Sequence, residues 1–147
     1  MKKYKAFTLI EMILVIGIIM ILLSISGLNL NIRDRIESKN QLKEMALDMK
    51  FLKHYAQINN CETSIKIRKD GYSTNFGQKS KEVKFNNLVK VESTNLENIR
   101  FTKSGKPSFL NNINSSGTIE FSIESRYFYK ITIEPVTGKV NFYEVEK

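Results

Sequence analysis

Cysteine, histidine, proline and tryptophan are nearly absent from these 147 residues: one Cys, one His, two Pro and no Trp. Each shortage excludes something. A lone Cys61 cannot close an intramolecular disulfide, so the fold must hold by packing. An intermolecular bridge stays open outside the cytoplasm, and the plainer reading is an unpaired thiol at a helix end. His54 has no partner at metal-ligand spacing, and no paired-cysteine zinc pattern occurs. It reads as a surface or boundary histidine. No glycine-rich phosphate loop is present. A Ser/His/Asp or Cys/His arrangement would have to run through His54, and none can be identified by spacing. No cofactor and no metal are therefore expected. Nothing in the residues argues for an enzyme, and the chain reads better as the substrate of one.

What is present is positive charge and one long apolar run. The formal net charge is +8. Three of those positives, Lys2, Lys3 and Lys5, precede the run. Moderate basicity allows contact with nucleic acid or anionic surfaces without establishing it. Beyond the run roughly 110 residues remain, enough for one compact domain and too few for two.

Residues 1–6 form a short basic leader. Residues 7–30 are apolar apart from a single charge, Glu11, and no charged side chain occurs between Met12 and Ile32. At about 1.5 Å per residue, such a helix is long enough to cross the hydrocarbon core of a bilayer. The lysines of the leader should stay on the cytoplasmic side, which places the chain after Arg33 across the membrane. Two plain readings compete. One is a simple membrane anchor. The other is a secretory signal peptide, with Ser24-Ile25-Ser26 as a small-residue cleavage site before Gly27. Both leave Glu11 unexplained, because a carboxylate in an apolar helix is costly and usually has a partner.

The segment Lys5-Ala6-Phe7-Thr8-Leu9-Ile10-Glu11 resembles the class III signal of type IV prepilins and pseudopilins. The resemblance implies a cut by the prepilin peptidase between Ala6 and Phe7, ahead of the apolar run. It makes Phe7 the new, N-methylated terminus and gives Glu11 a role in filament assembly. The residue before the cut is usually glycine; competence-type pseudopilins of Gram-positive bacteria tolerate the alanine found here. Elementary chemistry agrees with this. A new α-amine on Phe7 is largely cationic at neutral pH. Phe7 and Glu11 are four apart and share one helix face. In an apolar bundle, Glu11 of one subunit paired with the Phe7 amine of another is favoured over either charge left alone.

The rest of the chain reads as α+β: a long N-terminal helix, membrane-spanning and then amphipathic, packed on an antiparallel β-sheet domain as in pilins. The amphipathic part covers 31–58 and ends at Asn59 and Asn60. Leu42, Met45, Met49, Leu52 and Ala56 form its apolar stripe, widened by Leu47, Phe51, Tyr55 and Ile58. Lys39, Lys43, Glu44, Asp48, Lys50 and Lys53 take the polar side. Ser24, Ser26 and Gly27 mark its weakest stretch. From 61 to 147 the period changes to two, and about seven short strands are expected. Ile65 and Ile67 lead through a Lys69-Asp70-Gly71 turn to Tyr72 and Phe76. Val83/Phe85, Val89/Val91 and Ile99-Arg100-Phe101 follow, then a turn at Ser104-Gly105-Lys106-Pro107. Residues 118–123 and 127–133 alternate cleanly. Pro135-Val136-Thr137-Gly138 turns the chain into 140–145. The leader and 7–30 precede one domain made of 31–147.

The second half is also similar to minor pseudopilins of the H class, including fimbrial-T and competence D-type proteins. The matching pieces are Ile99-Arg100-Phe101-Thr102-Lys103-Ser104-Gly105, Ser116-Gly117-Thr118-Ile119-Glu120-Phe121, and Ile131-Thr132-Ile133 through Gly138-Lys139-Val140. The resemblance implies a minor pseudopilin of a competence pilus that takes up DNA. A type II secretion pseudopilus or a surface type IV pilus is the alternative within the class. A membrane-anchored or secreted binding domain that never assembles is the alternative outside it. The implied partners are the prepilin peptidase, other pilin or pseudopilin subunits, the assembly platform protein and the cell membrane, with double-stranded DNA a further candidate. The implied location is a single-pass membrane protein that moves into a surface filament. For DNA the candidate contacts are Arg100, Lys103, Lys106 and Lys139, against a plainer reading as solvated side chains.

Overall fold

A computed structural model describes residues 8–110 and 113–145, and within them all side chains except those of 25–31, 110 and 113. The chain divides into two compact units, Met1–Asp34 and Arg35–Lys147. One helix, α1 (Leu9–Asn59), supplies the described structure of the first unit and the first element of the second.

In the first unit the described side chains from Leu9 to Ser24 are all exposed. Among the described residues, no helix is long and apolar enough to cross a membrane. Residues 9–24 rise only about 24 Å at 1.5 Å per residue, short of a hydrocarbon core of about 30 Å. The remainder of the span expected over 7–30 consists of Phe7 and residues 25–30, which lie outside the described side chains. The expected weak stretch does not interrupt the helical backbone. Ser24 turns its hydroxyl back to the Met20 carbonyl at 2.8 Å, so it satisfies its own polar group within the helix.

In the second unit the 3.6-residue period decides which face of α1 is buried. Leu42, Met45, Met49, Leu52 and Ala56 have no exposed surface, as their spacing requires. The helix stops where Asn60 takes a left-handed φ of 50°, and the Cys61 amide reaches back to the Ala56 carbonyl at 3.3 Å. That bond spans the last turn and satisfies a carbonyl that would otherwise be orphaned.

Ten strands follow among the described residues: β1 (Thr63–Arg68), β2 (Gly71–Phe76), β3 (Lys79–Lys84), β4 (Val89–Thr94), β5 (Asn98–Phe101), β6 (Phe109–Leu110), β7 (Ile113–Asn114), β8 (Gly117–Ile123), β9 (Tyr127–Ile133) and β10 (Val140–Val145). They form two four-stranded antiparallel sheets, β3-β2-β1-β5 and β10-β9-β8-β4, with a small β6-β7 ladder. The fold is α+β, with the helix packed on antiparallel sheets. Two details differ from the sequence reading: the strands number ten among the described residues, where about seven were expected, and they make two main sheets. The two strands that the sequence reading did not place are β6 and β7, two residues each. The strand expected around Val83 and Phe85 is really β3, a lysine-rich edge with one half-buried apolar position, Val83. Lysines on an edge strand discourage further strand pairing. Phe85 has left the strand and lies between the sheets. Its ring is 5.8 Å from Tyr72 of the first sheet and 6.0 Å, edge-on, from Phe121 of the second.

The core gathers the α1 stripe with Ile65, Ile67, Tyr72, Ile99 and Phe101 from one sheet. The other contributes Ile119, Phe121, Ile123, Tyr129, Ile131 and Ile133. Polar side chains pin the helix at its flanks. Tyr72 donates its hydroxyl to Asp48 Oδ2 at 2.7 Å, and Lys81 Nζ meets the same oxygen at 2.9 Å. Lys39 pairs with Glu144 at 2.7 Å. The expected widening of the stripe is only partly realised. Tyr55 is half-buried, but Leu47, Phe51 and Ile58 are 59%, 50% and 82% exposed. A cylinder lying on a sheet buries one arc, and these three positions fall beyond it. Phe51 instead joins Tyr55 and Phe76 in a surface cluster of rings 5.3–5.8 Å apart.

Candidate functional site

Two regions hold the candidate residues, and each lies within one unit. The first is the start of α1. Ala6 and Phe7, the residues of the expected cut, lie outside the described residues. Glu11 is described, and it has a partner that the sequence reading did not name. The Thr8 amide donates to Glu11 Oε2 at 2.9 Å, and the Thr8 hydroxyl donates to the same oxygen at 2.9 Å. The Glu11 amide points back at the Thr8 hydroxyl at 3.4 Å. Thr8 is therefore the N-cap of α1, with Glu11 three residues on: a capping box. The signal was legible in Thr8-Leu9-Ile10-Glu11, since Thr followed three residues later by Glu ahead of an apolar run is its pattern. Near the helix N-terminus a carboxylate also meets the positive end of the backbone dipole.

The second region is a pair of abutting loops in the Arg35–Lys147 unit. The loop after β5 closes on itself: the Thr102 amide and hydroxyl both donate to the Lys106 carbonyl, at 2.9 and 3.0 Å. Gly105 turns it at a φ of 74°. The β9–β10 turn closes through the Gly138 amide on the Glu134 carbonyl at 3.0 Å. These loops touch: a Cβ on Gly138 would sit 2.5 Å from the Gly105 carbonyl oxygen. The Gln57 amide, at the end of α1, anchors the first loop through the Ser104 carbonyl at 3.0 Å. The contact brings the loop bearing Lys103 and Lys106 against the turn bearing Lys139, and all three lysines are exposed.

Arg100 stands elsewhere on the same unit. It is an exposed position of β5 and lines a recess of about 200 Å³ with Glu62, Thr63, Ser64, Asn75 and Gly77. An acidic group stands at each place, Glu62 in the Arg100 recess and Glu134 in the turn that bears Lys139. Glu134 sits in the β9–β10 turn, and its carboxyl is held below the ordinary range chiefly by the Thr137 hydroxyl. Lys139 and Lys53 add to this through their charge. Glu144, farther along β10, is taken by Lys39 instead. That hydrogen bond holds its carboxyl low as well.

Among the described residues, no group of three or more His, Cys, Asp or Glu could hold a metal ion. His54 is exposed, and Cys61 is a half-buried free thiol near the end of α1. Residues 1–27 match the prokaryotic N-terminal methylation motif. The chain thus carries the N-terminal signal of type IV pilin-like proteins, which implies processing by a prepilin peptidase and assembly with other pilins. No curated protein and no solved structure gives a significant match.

Proposed function

We propose that this chain is the precursor of a minor pseudopilin, a structural subunit of a type IV pilus-like filament, and that the filament is a competence pilus for DNA uptake. The observation that carries the reading is the methylation motif over residues 1–27, with Glu11 as the one charge inside its apolar run. A prepilin peptidase cuts between Ala6 and Phe7, and Phe7 is N-methylated. The membrane holds the subunit before assembly, with its leader on the cytoplasmic side and the Arg35–Lys147 unit outside. The platform protein and sibling subunits then take it into the filament. Its part is structural, as substrate of the peptidase rather than as an enzyme. Alanine at position 6 and the H-class segments favour the competence system over a type II secretion pseudopilus or a surface pilus. Gene order around the coding sequence separates the three.

Mass spectrometry of the mature N-terminus, in cells that express the peptidase, tests the core of this reading. The expected product starts at methylated Phe7. A start at Gly27, or an uncut Met1, overturns it. DNA contact is the outermost part of the proposal and is assigned to Lys103, Lys106 and Lys139, with Arg100. Binding through phosphates should weaken steeply with added salt and show little sequence preference. Charge reversal at Lys103 and Lys106 that leaves duplex binding unchanged removes DNA contact from these loops.

A further inference from the structure

A recess of about 430 Å³ opens where β8 begins and β9 ends, and its polar lining includes Asn95, Asn114, Thr118, Thr132 and Glu134. The two carboxamides are fixed by their oxygens. Asn114 Oδ1 accepts from the Ser116 amide at 2.9 Å and from the Ser116 hydroxyl at 2.6 Å. Asn95 Oδ1 accepts from the Thr118 amide at 3.2 Å. Each side chain thus leaves its NH2 group to donate elsewhere. Gly117 lets Asn95 lie this close, since a Cβ there would sit 2.5 Å from Asn95 Oδ1. Thr118 and Thr132 stand opposite each other across β8 and β9, so their side chains share a face.

This lining is selective. Among the described residues that form it, Glu134 is the one charged side chain. A carboxylate repels phosphate and acidic sugars, and a single one does not make a cation site. An apolar ligand would strip water from amides and hydroxyls and give them nothing in return. An extended peptide commonly docks by adding a strand, but β8 and β9 are interior strands, paired on both sides. A neutral sugar meets every demand, because its hydroxyls accept from NH2 groups and donate to a carboxylate. We infer that the recess binds a neutral glycan. The Asn95 and Asn114 NH2 groups donate to sugar hydroxyls, Glu134 accepts from them, and the Thr118 and Thr132 hydroxyls do either. The inference is independent of the filament reading, since all these residues belong to the Arg35–Lys147 unit.

The test uses the full chain, solubilised in a detergent without a sugar head group, and NMR titration with maltotriose, cellotriose and triacetylchitotriose. Trigalacturonate is the acidic counterpart and triserine the peptide one. At least one neutral trisaccharide should shift the Thr118 and Thr132 resonances, with a Kd of about 1 mM or tighter. Asn114→Asp keeps the oxygen that Ser116 needs and removes the NH2 group. It should weaken binding about fivefold or more, the factor that one lost hydrogen bond gives. Thr132→Val keeps the side-chain shape, should weaken binding similarly, and decides the matter where Asn114→Asp shifts the melting curve. No response to any neutral sugar at about 20 mM, or binding unchanged in both variants, overturns the inference. Trigalacturonate or triserine binding more tightly than the neutral sugars overturns it as well.

Discussion

Tyr72→Phe removes a single oxygen from the inside of the Arg35–Lys147 unit, and the structure sets what it should cost. Tyr72 is 1% exposed, and its hydroxyl donates to Asp48 Oδ2 at 2.7 Å, tying β2 to α1. A hydrogen bond to a charged group contributes about 1.5–3 kcal/mol. The low end applies, because Asp48 keeps Lys81 at 2.9 Å and 22% side-chain exposure. A loss of about 1.5 kcal/mol in a unit of this size lowers Tm by about 6 °C. Lys81→Met, at the same carboxylate oxygen, should cost less than about 1 kcal/mol, because its partner is a half-exposed ion pair. The pH dependence gives a second check. Burial, and then the bond to Asp48, push the Tyr72 phenol well above its ordinary value. The folded state thus keeps a proton that the unfolded chain releases above about pH 10. Stability from Tyr72 is fully present below that pH and is lost at about 1.4 kcal/mol per unit above it. The gap between wild type and Tyr72→Phe should therefore close near pH 11. Urea unfolding of a chain starting at Asn31, at pH 8, 10 and 11, measures all of this. A variant equal to wild type at pH 8, or a larger loss in Lys81→Met, would refute the reasoning.

The elements that could be read from sequence were those whose burial follows a local period. The Leu42, Met45, Met49, Leu52, Ala56 stripe returns every three or four residues, and all five are fully buried. Residues 118–123 and 127–133 alternate, and they pair as β8 and β9. Sheet membership was not legible, because it depends on distant pairings. β1 pairs with β5, so Thr63 faces Phe101, and β4 passes to the other sheet, where Val89 faces Ile123. Nothing local to Val89 announces that crossing. Polar pins were hidden for a related reason. Asp48 belongs to the charged side of α1 by spacing, yet it accepts from a buried tyrosine on β2. Of the candidate site, the N-terminal motif was legible because its residues are contiguous. Thr8 was missed although its capping pattern is local, because Glu11 was read as a partner for the Phe7 amine, in its own chain or in another subunit. Lys139 was brought to the Lys103 loop by a glycine–glycine contact that leaves no trace in a one-dimensional pattern.

Three further outcomes are expected. Gly138→Ala should cost about 2–3 kcal/mol in urea unfolding, from a left-handed φ of 63° and a Cβ driven to within 2.5 Å of the Gly105 oxygen. An unchanged midpoint would show that the loops bearing Lys103, Lys106 and Lys139 are not in contact. The carboxyls of Glu134 and Glu144 titrate below their ordinary value, held there chiefly by Thr137 and Lys39. Their contribution is present above the unfolded value, near pH 4, and is lost as pH falls through the lower folded one. Thermal melts should show that loss on acidification, and Glu144→Gln should shrink it. The last prediction concerns the outer apolar face of α1. If Leu47 and Ile58 belonged to the core, as their place beside the stripe suggests, replacing either with a small or polar residue would cost about 2–5 kcal/mol. At 59% and 82% exposure they give up little buried area, so Leu47→Gln and Ile58→Gln should each change stability by less than about 0.5 kcal/mol. Exposed apolar groups clustered on one element commonly mark a contact surface. The same two variants should therefore lower incorporation into the filament while leaving the melting curve in place. A melting curve shifted by several degrees would return these residues to the core. Unchanged incorporation would leave the face without a partner.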